Sequence, residues 1–221
     1  MPKVAAPAQP TSPDQARSTP TPRSTPTPSK GVADARAPRL PLKLGVPFPC
    51  GVRVRVNCAY GPSCSPAHRG HDHFALDMSR RQAGGGRGLA VVAAAPGVVT
   101  YAGWALGRWR YYGQIVVVDH GVRYQGKPLQ TLYAHLHAVS VKVGQRVDRS
   151  TELGTLGGSS RGELRRLGAH LHFVVLAGSG SLSGRRSLRP EPLGRYRGLR
   201  RGSVMVACEK LPIALAPRRA R

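Results

Sequence analysis

Seven of the chain's eight histidines lie in three short stretches, and these are the residues best suited to metal chemistry. The stretches are residues 68–77 (HRGHDHFALD), 133–137 (YAHLH) and 169–173 (AHLHF). In the third stretch one apolar residue separates His170 from His172, inside a run that predicts a β-strand. Because alternate residues of a strand point to the same face, both imidazoles are expected on one side of a sheet. That placement suits a metal site.

Histidine and aspartate side chains together could hold a catalytic zinc ion. Two neutral imidazoles and one carboxylate give three protein ligands, which leaves the fourth tetrahedral position for water. Bound zinc lowers the pKa of that water towards about 7 and polarises a carbonyl group. Further histidines nearby could act as a general base and as donors to the oxyanion of a tetrahedral intermediate. These residue types indicate metal-assisted amide hydrolysis without the helical His-Glu-x-x-His motif.

The elements that position these side chains are predicted to be strands. The 221-residue chain has 27 glycines, 20 prolines and few aromatic residues, and no long amphipathic helical period stands out. This composition favours an all-β (β-rich) fold. The alternation of Val52, Val54 and Val56 with polar residues predicts a half-buried strand. We expect a single domain of short antiparallel strands with long loops.

Turn residues punctuate the strands around the second histidine stretch. Pro96-Gly97 predicts a turn between two strands, and Asp119-His120-Gly121 predicts the turn that closes the strand at 115–118. Residues 129–135 are expected to pair beside that strand and to bring Tyr133 and His135 towards the centre of the sheet. His120 is accordingly interpreted as a turn residue without a role in chemistry.

Composition divides the chain into three parts. Residues 1–39 are rich in proline, threonine and serine, so this segment buries too little apolar surface to fold and is predicted to be a disordered tail. Residues 40–177 are expected to form the metallopeptidase domain. Residues 178–221 are rich in glycine, serine and arginine, with one strand predicted at 203–207 and a basic end.

The net charge of +24 predicts attraction to polyanions. Anionic polymers of a cell envelope are one class of partner, and a solvated basic face without a partner is the alternative. Specific nucleic-acid binding is not expected, because neither aromatic residues between basic strand positions nor a recognition-helix pattern is present. No stretch is long and apolar enough to span a membrane, and the first thirty residues lack the apolar core of a secretory signal.

Four cysteines allow three disulfide pairings, and the sequence does not select among them. Cys50, Cys58 and Cys64 lie within fifteen residues of one another, which suggests a local disulfide such as Cys58 with Cys64. Cys208 is distant. A thiolate metal site is less favoured, because the spacing Cys-x7-Cys-x5-Cys lacks the close pairs of structural zinc modules.

An ordered set of motifs in residues 45–176 resembles the lysostaphin/LytM-type zinc metalloendopeptidases, which cut peptide bonds of peptidoglycan. The motifs are HRG and FALD near residues 68–77, VVAA and PGVV at 91–99, VVVDHG at 116–121, YAHL at 133–136, VGQ with Val147, Gly154 with Gly157, and HLHF at 170–173. The ordered set is far more specific than any single motif. The long basic loop at 80–88 departs from the family's usual Pro-x-Gly-Thr-Pro connection.

The resemblance implies a role for particular residues. It makes His172 a zinc ligand, and it makes His135 and His170 the catalytic histidines that orient and deprotonate water or stabilise the oxyanion. The first ligand pair stays open between His68 with Asp77, His68 with Asp72, and His73 with Asp77. We favour His68 and Asp77, because Asp77 ends an apolar strand segment nearer to the next predicted strand.

The resemblance also implies a zinc-dependent endopeptidase that acts on peptidoglycan cross-links or stem peptides outside the cytoplasm. Export is inferred from the substrate alone. The alternative is a non-catalytic relative that binds the cell wall or activates another hydrolase. Such a protein is expected to lack ligand residues, and this chain has all of them. The sequence does not indicate the bond cleaved or the oligomeric state.

Overall fold

The structure is a computed structural model, and it describes residues 39–179 and 184–208. These residues form mainly β-strands. The strands are β1 Arg53–Ala59, β2 Leu76–Ser79, β3 Ala90–Val92, β4 Gly97–Trp104, β5 Gln114–Tyr124, β6 Lys127–Leu136, β7 Ala138–Val139, β8 Arg146–Val147, β9 Glu152–Thr155, β10 Leu171–Ala177, β11 Arg186–Leu188 and β12 Val204–Val206. Short 3-10 helices lie at Gly70–Asp72, Ala83–Gly86 and Gly107–Tyr112. The all-β prediction is confirmed. The predicted disordered tail lies almost wholly outside the described residues.

Two antiparallel sheets hold these strands. In the described residues the larger sheet has nine strands in the order β12-β1-β2-β10-β6-β5-β4-β8, with β11 paired to β10. The smaller sheet has the order β3-β9-β7. Strand β10 lies between β2 and β6, with His172 opposite both Asp77 and Ala134. The register therefore brings residues from three distant parts of the sequence to one place.

The alternation of side chains along β10 creates two different faces. Leu171, Phe173 and Val175 belong to the main core cluster, which also contains Val91 and Leu153 of the smaller sheet. Every residue of β10 is buried, which explains why the strand is a continuous apolar run broken only by His172. The opposite face carries His172 with Val174 and Leu176, the latter two within a second apolar cluster. The candidate site lies on this second face.

Several strand predictions are confirmed and others need correction. Val54 and Val56 are buried in β1, and β6 pairs with β5 as expected. The segments on either side of Pro96-Gly97 are strands β3 and β4, as predicted, but they do not pair with each other: β3 pairs with β9, and β4 pairs with β5 and β8. Beyond residue 178, β12 lies at the predicted strand, and the structure adds β11.

The prediction that His120 is a turn residue is wrong. Strand β5 continues through it to Tyr124, with irregular pairing to β6 between Asp119 and Arg123. His120 is buried, donates its Nδ1–H to the carbonyl oxygen of Pro96 at 2.7 Å and lies 3.0 Å from the Thr131 hydroxyl. Burial lowers its pKa. A sequence motif that usually closes a strand is accommodated here within a long, bent strand.

Candidate active site

Three side chains converge at the junction of β2 and β10. His68 follows the loop closed by the Cys58–Cys64 disulfide, Asp77 is the second residue of β2, and His172 is the second residue of β10. His68 Nε2 lies 3.3 Å from Asp77 Oδ2, and His172 Nδ1 lies 3.0 Å from Asp77 Oδ1. Two ligands bound at about 2.0–2.1 Å to one tetrahedral zinc ion are about 3.3 Å apart. Each imidazole therefore lies at about that distance from Asp77, His68 from one carboxylate oxygen and His172 from the other.

The polar atoms of His68 support a cation between these groups. Its Nδ1 lies 3.6 Å from Cys58 Sγ, a disulfide sulfur that can only accept a hydrogen bond. A proton on Nδ1 leaves Nε2 with a lone pair. That Nε2 atom is buried without a hydrogen-bond partner, although it faces an oxygen of Asp77. Two acceptors repel each other at this distance, and a metal ion between them removes the repulsion.

Cys58 is close to the same place but is not counted among the ligands. Its sulfur, His68 and Asp77 offer atoms that all lie within 4.8 Å of one another. Because the sulfur is bonded to Cys64, it carries no thiolate for a metal. The local disulfide suggested by the sequence is present, and a second joins Cys50 to Cys208.

The two candidate acids occupy opposite sides of His172. Asp77 contacts both His68 and His172 Nδ1, whereas Asp72 Oδ1 lies 3.2 Å from His172 Nε2. His73 is exposed and packs edge-on against Phe74 with 4.6 Å between ring centroids. This geometry favours His68 with Asp77 over both alternative pairs.

The two carboxylates beside His172 shift its pKa, and His172 shifts theirs. Burial by itself lowers the pKa of His172, but the adjacent Asp72 and Asp77 outweigh burial and raise the pKa to about 10. Burial likewise raises the pKa of each aspartate, yet the adjacent His172, together with the Tyr112 hydroxyl at Asp72, overcomes it and holds both carboxyl pKa values below their usual range. Both acids are thus ionised at neutral pH and available as metal-binding or hydrogen-bonding groups.

His135 and His170 lie together beside the three converging groups. The ring of His135 is 4.7 Å from that of His170 and 5.8 Å from that of His172, measured between centroids. His135 donates its Nδ1–H to the Ser159 carbonyl oxygen at 2.9 Å, and His170 donates its Nδ1–H to the Gly168 carbonyl oxygen at 2.7 Å. The neutral form of each ring therefore has its free lone pair on Nε2. Burial first, then the charges of His170 and His172, lowers the His135 pKa to about 3.

His135 has a positive backbone φ angle, which is uncommon for a residue other than glycine. Its φ of 62° lies in the left-handed region, which costs a non-glycine residue about 1–3 kcal/mol. The conformation falls at the end of β6, where the chain turns out of the sheet. The surrounding contacts hold this strained residue so that its ring faces His170.

Two loops and an aromatic wall border the site. A cavity of about 640 Å³ beside His170 is lined by Gly85 and Arg87 of the long basic loop and by Leu167. On the other side, Trp109 packs against His71 with 4.8 Å between ring centroids and stacks with Tyr112. No local pattern points to Trp109, Tyr112 or Ser159, because their roles depend on contacts with residues distant in the sequence.

Within residues 39–179 and 184–208, no helix is both long and apolar enough to cross a membrane.

Comparison with known proteins adds three findings. Peptidase family M23 matches residues 77–183, which include Asp77, His135, His170 and His172 but not His68. Outer membrane antigenic lipoprotein B of Histophilus somni is 35% identical over 91 residues, which cover 41% of this chain. The chain matches only 23% of the length of that curated relative.

Two solved structures are similar at low sequence identity. The M23 metalloprotease pseudoalterin, from the deep sea, is 20% identical with a TM-score of 0.49, over 74% of this chain and 87% of that one. The catalytic domain of lysostaphin from Staphylococcus simulans is 20% identical with a TM-score of 0.41, over 62% of this chain and 87% of that one.

Proposed function

We propose that the protein is a zinc-dependent endopeptidase that hydrolyses peptide bonds in peptidoglycan cross-links or stem peptides, because residues 77–183 match peptidase family M23. One observation carries the proposal: His68 Nε2 and His172 Nδ1 each lie within 3.3 Å of an oxygen of Asp77. The pair His135 and His170 lies beside this group, as a peptidase needs.

The proposed zinc ligands are His68, Asp77 and His172. These residues would hold a zinc ion, whose chemistry would be that of a Lewis acid towards the scissile carbonyl and water. The Cys58 sulfur lies 3.6 Å from His68 Nδ1 and keeps that ring turned towards Asp77. Outer contacts of this kind fix the orientation of ligand imidazoles.

His135 and His170 are the proposed catalytic histidines. Since both donate Nδ1–H to backbone carbonyl groups, both offer an unprotonated Nε2 to the open side of the site. An unprotonated nitrogen there can accept a proton from the attacking water and return it to the departing amine. His170 is the more exposed of the two and the better placed to exchange that proton with solvent.

Peptidoglycan as substrate places the proposed activity outside the cytoplasm. Two disulfides suit an oxidising compartment. A net charge of +24 would concentrate the protein near anionic polymers of the cell envelope.

The test is zinc content and peptidoglycan hydrolysis for three proteins: wild type, His172→Ala and His73→Ala. The proposal expects about one zinc per chain and release of new amino termini from the wild type, and neither from His172→Ala. His73→Ala is the matched control, because His73 is exposed and is not among the proposed ligands. Treatment with a chelator should abolish hydrolysis, and added zinc should restore it.

A wild type that is folded but neither holds zinc nor releases amino termini contradicts the proposal. If that protein still sediments with peptidoglycan, the non-catalytic wall-binding alternative becomes the better account. Loss of zinc in His73→Ala would instead show that His73, and not His68, is the first zinc ligand.

A further inference from the structure

A buried carboxylate lies behind His172, on the side away from Asp77. Asp72 ends the short helix Gly70–Asp72 and is 7% exposed. We propose that Asp72 is a positioning residue that accepts the Nε2–H of His172 and so presents Nδ1 of the ring as the metal ligand. This inference rests on the proposed zinc site and assigns a role to a residue that the metal and the reacting groups do not touch.

The geometry of His172 requires such a partner. Its ring meets an aspartate at each nitrogen, Asp77 Oδ1 at 3.0 Å from Nδ1 and Asp72 Oδ1 at 3.2 Å from Nε2. A neutral imidazole carries one N–H, so a metal can replace the proton at only one of these contacts. Because Asp77 also contacts His68, the metal belongs on the Nδ1 side. The N–H then belongs on Nε2, where Asp72 is the acceptor among residues 39–179 and 184–208.

Asp72 is itself held in place by a chain of polar and aromatic groups. Tyr112 donates its O–H to Asp72 Oδ2, which leaves Oδ1 for His172. His71 Nε2 lies 3.0 Å from the Tyr112 hydroxyl oxygen and 3.7 Å from Asp72 Oδ2. Trp109 packs against both the His71 and Tyr112 rings. Both carboxylate oxygens are thus engaged, and the aromatic groups limit their movement.

The burial of Asp72 argues against an incidental contact. A buried carboxylate without partners is costly, and its partners here are His172 and Tyr112 with His71 nearby. A carboxylate in this position makes the ligand nitrogen more basic and fixes the ring angle. Removal of the negative charge should therefore weaken metal binding without removing a ligand.

The experiment measures zinc affinity by competition with a chromophoric chelator for the full-length wild type, Asp72→Asn, Asp77→Asn and Asp119→Asn. Asp72→Asn should bind zinc about 10-fold to 100-fold more weakly than wild type, which is the usual effect of losing such a contact. Asp77→Asn should lose stoichiometric binding. Asp119→Asn is the matched control, because Asp119 lies on β5 and accepts hydrogen bonds from Gly121 of the same strand and Gln130 of β6, and its affinity should be unchanged.

A second readout separates positioning from general stability. In zinc-loaded protein with 15N-labelled histidine, the His172 ring should carry its proton on Nε2, and that proton should exchange faster with solvent in Asp72→Asn. Tyr112→Phe removes the donor to Asp72 Oδ2 and should weaken zinc binding by a smaller factor than Asp72→Asn. Both variants should keep the wild-type circular dichroism spectrum.

Three distinguishable results would overturn the inference. Zinc affinity of Asp72→Asn within twofold of wild type shows that Asp72 does not position His172. Loss of stoichiometric binding in Asp72→Asn with retention in Asp77→Asn makes Asp72 the acid ligand. A wild type that binds no zinc removes the proposed function and this inference together, whereas the first two results leave the zinc peptidase standing.

Discussion

Substitution of Gly113 by alanine tests how His135 is held. Gly113 has φ 66° and ψ −134°, a backbone conformation that residues other than glycine rarely adopt. A Cβ added there would overlap the carbonyl group and hydroxyl of Ser159. The Ser159 carbonyl oxygen accepts the Nδ1–H of His135, and the Ser159 hydroxyl accepts the N–H of Gln114. The substitution must therefore move the residue that orients the proposed catalytic base.

The size of the effect follows from these contacts. Backbone strain at Gly113 contributes about 1–3 kcal/mol, and loss of the buried His135 hydrogen bond contributes about 1–3 kcal/mol more. Stability should therefore fall by roughly 2–6 kcal/mol. A displacement of about 1 Å in a reacting group can cost about 100-fold in rate. Zinc affinity should change little, because His68, Asp77 and His172 do not bond to Ser159.

The assay compares kcat/KM for peptidoglycan hydrolysis, zinc content and urea unfolding in wild type, Gly113→Ala and Gly107→Ala. Gly107 is the matched control. It is the first residue of the short helix that Gly113 directly follows, and its φ of 58° is also positive. Nothing lies within 4 Å of a Cβ added there. We expect Gly107→Ala to lose about 1–2 kcal/mol of stability from backbone strain and to keep its activity. If folded, zinc-loaded Gly113→Ala is as active as Gly107→Ala, the Ser159 carbonyl does not orient His135.

Two further predictions concern stability. Because burial lowers the pKa of His120, the unfolded chain binds more protons than the folded chain below pH of about 6.5. The unfolding free energy should therefore fall as the pH drops from 7 to 5, by up to about 1.4 kcal/mol per pH unit from this residue. Urea unfolding of His120→Asn should show a shallower pH dependence, and an identical slope would contradict this assignment. Replacement of Cys50 and Cys208 by serine removes a disulfide between residues separated by 158 positions. The free energy of unfolding, measured in urea, should therefore fall by about 2–5 kcal/mol. An unchanged midpoint would show that this disulfide contributes nothing to stability.

Local patterns were sufficient to predict most of the strands and to mark the histidine-rich stretches as candidates for metal chemistry. Alternation of apolar residues located β1, and a continuous apolar run located β10, because each pattern reflects burial of one or both faces of a strand. The His-Leu-His spacing placed His170 and His172 together, and the structure brings both beside His135. The turn residues were less informative, since Asp119-His120-Gly121 lies within a long bent strand.

The tertiary structure decided the questions that depend on contacts between distant residues. Asp72 and Asp77 are five positions apart and chemically identical, and only the pairing of β2 with β10 shows that Asp77 faces both His68 and His172. The same pairing leaves Asp72 behind His172, where Tyr112 from another part of the chain meets it. Sequence alone determined which groups were available for chemistry. Strand register and loop packing decided which of them meet, because these contacts join residues separated by about 40 to 100 positions.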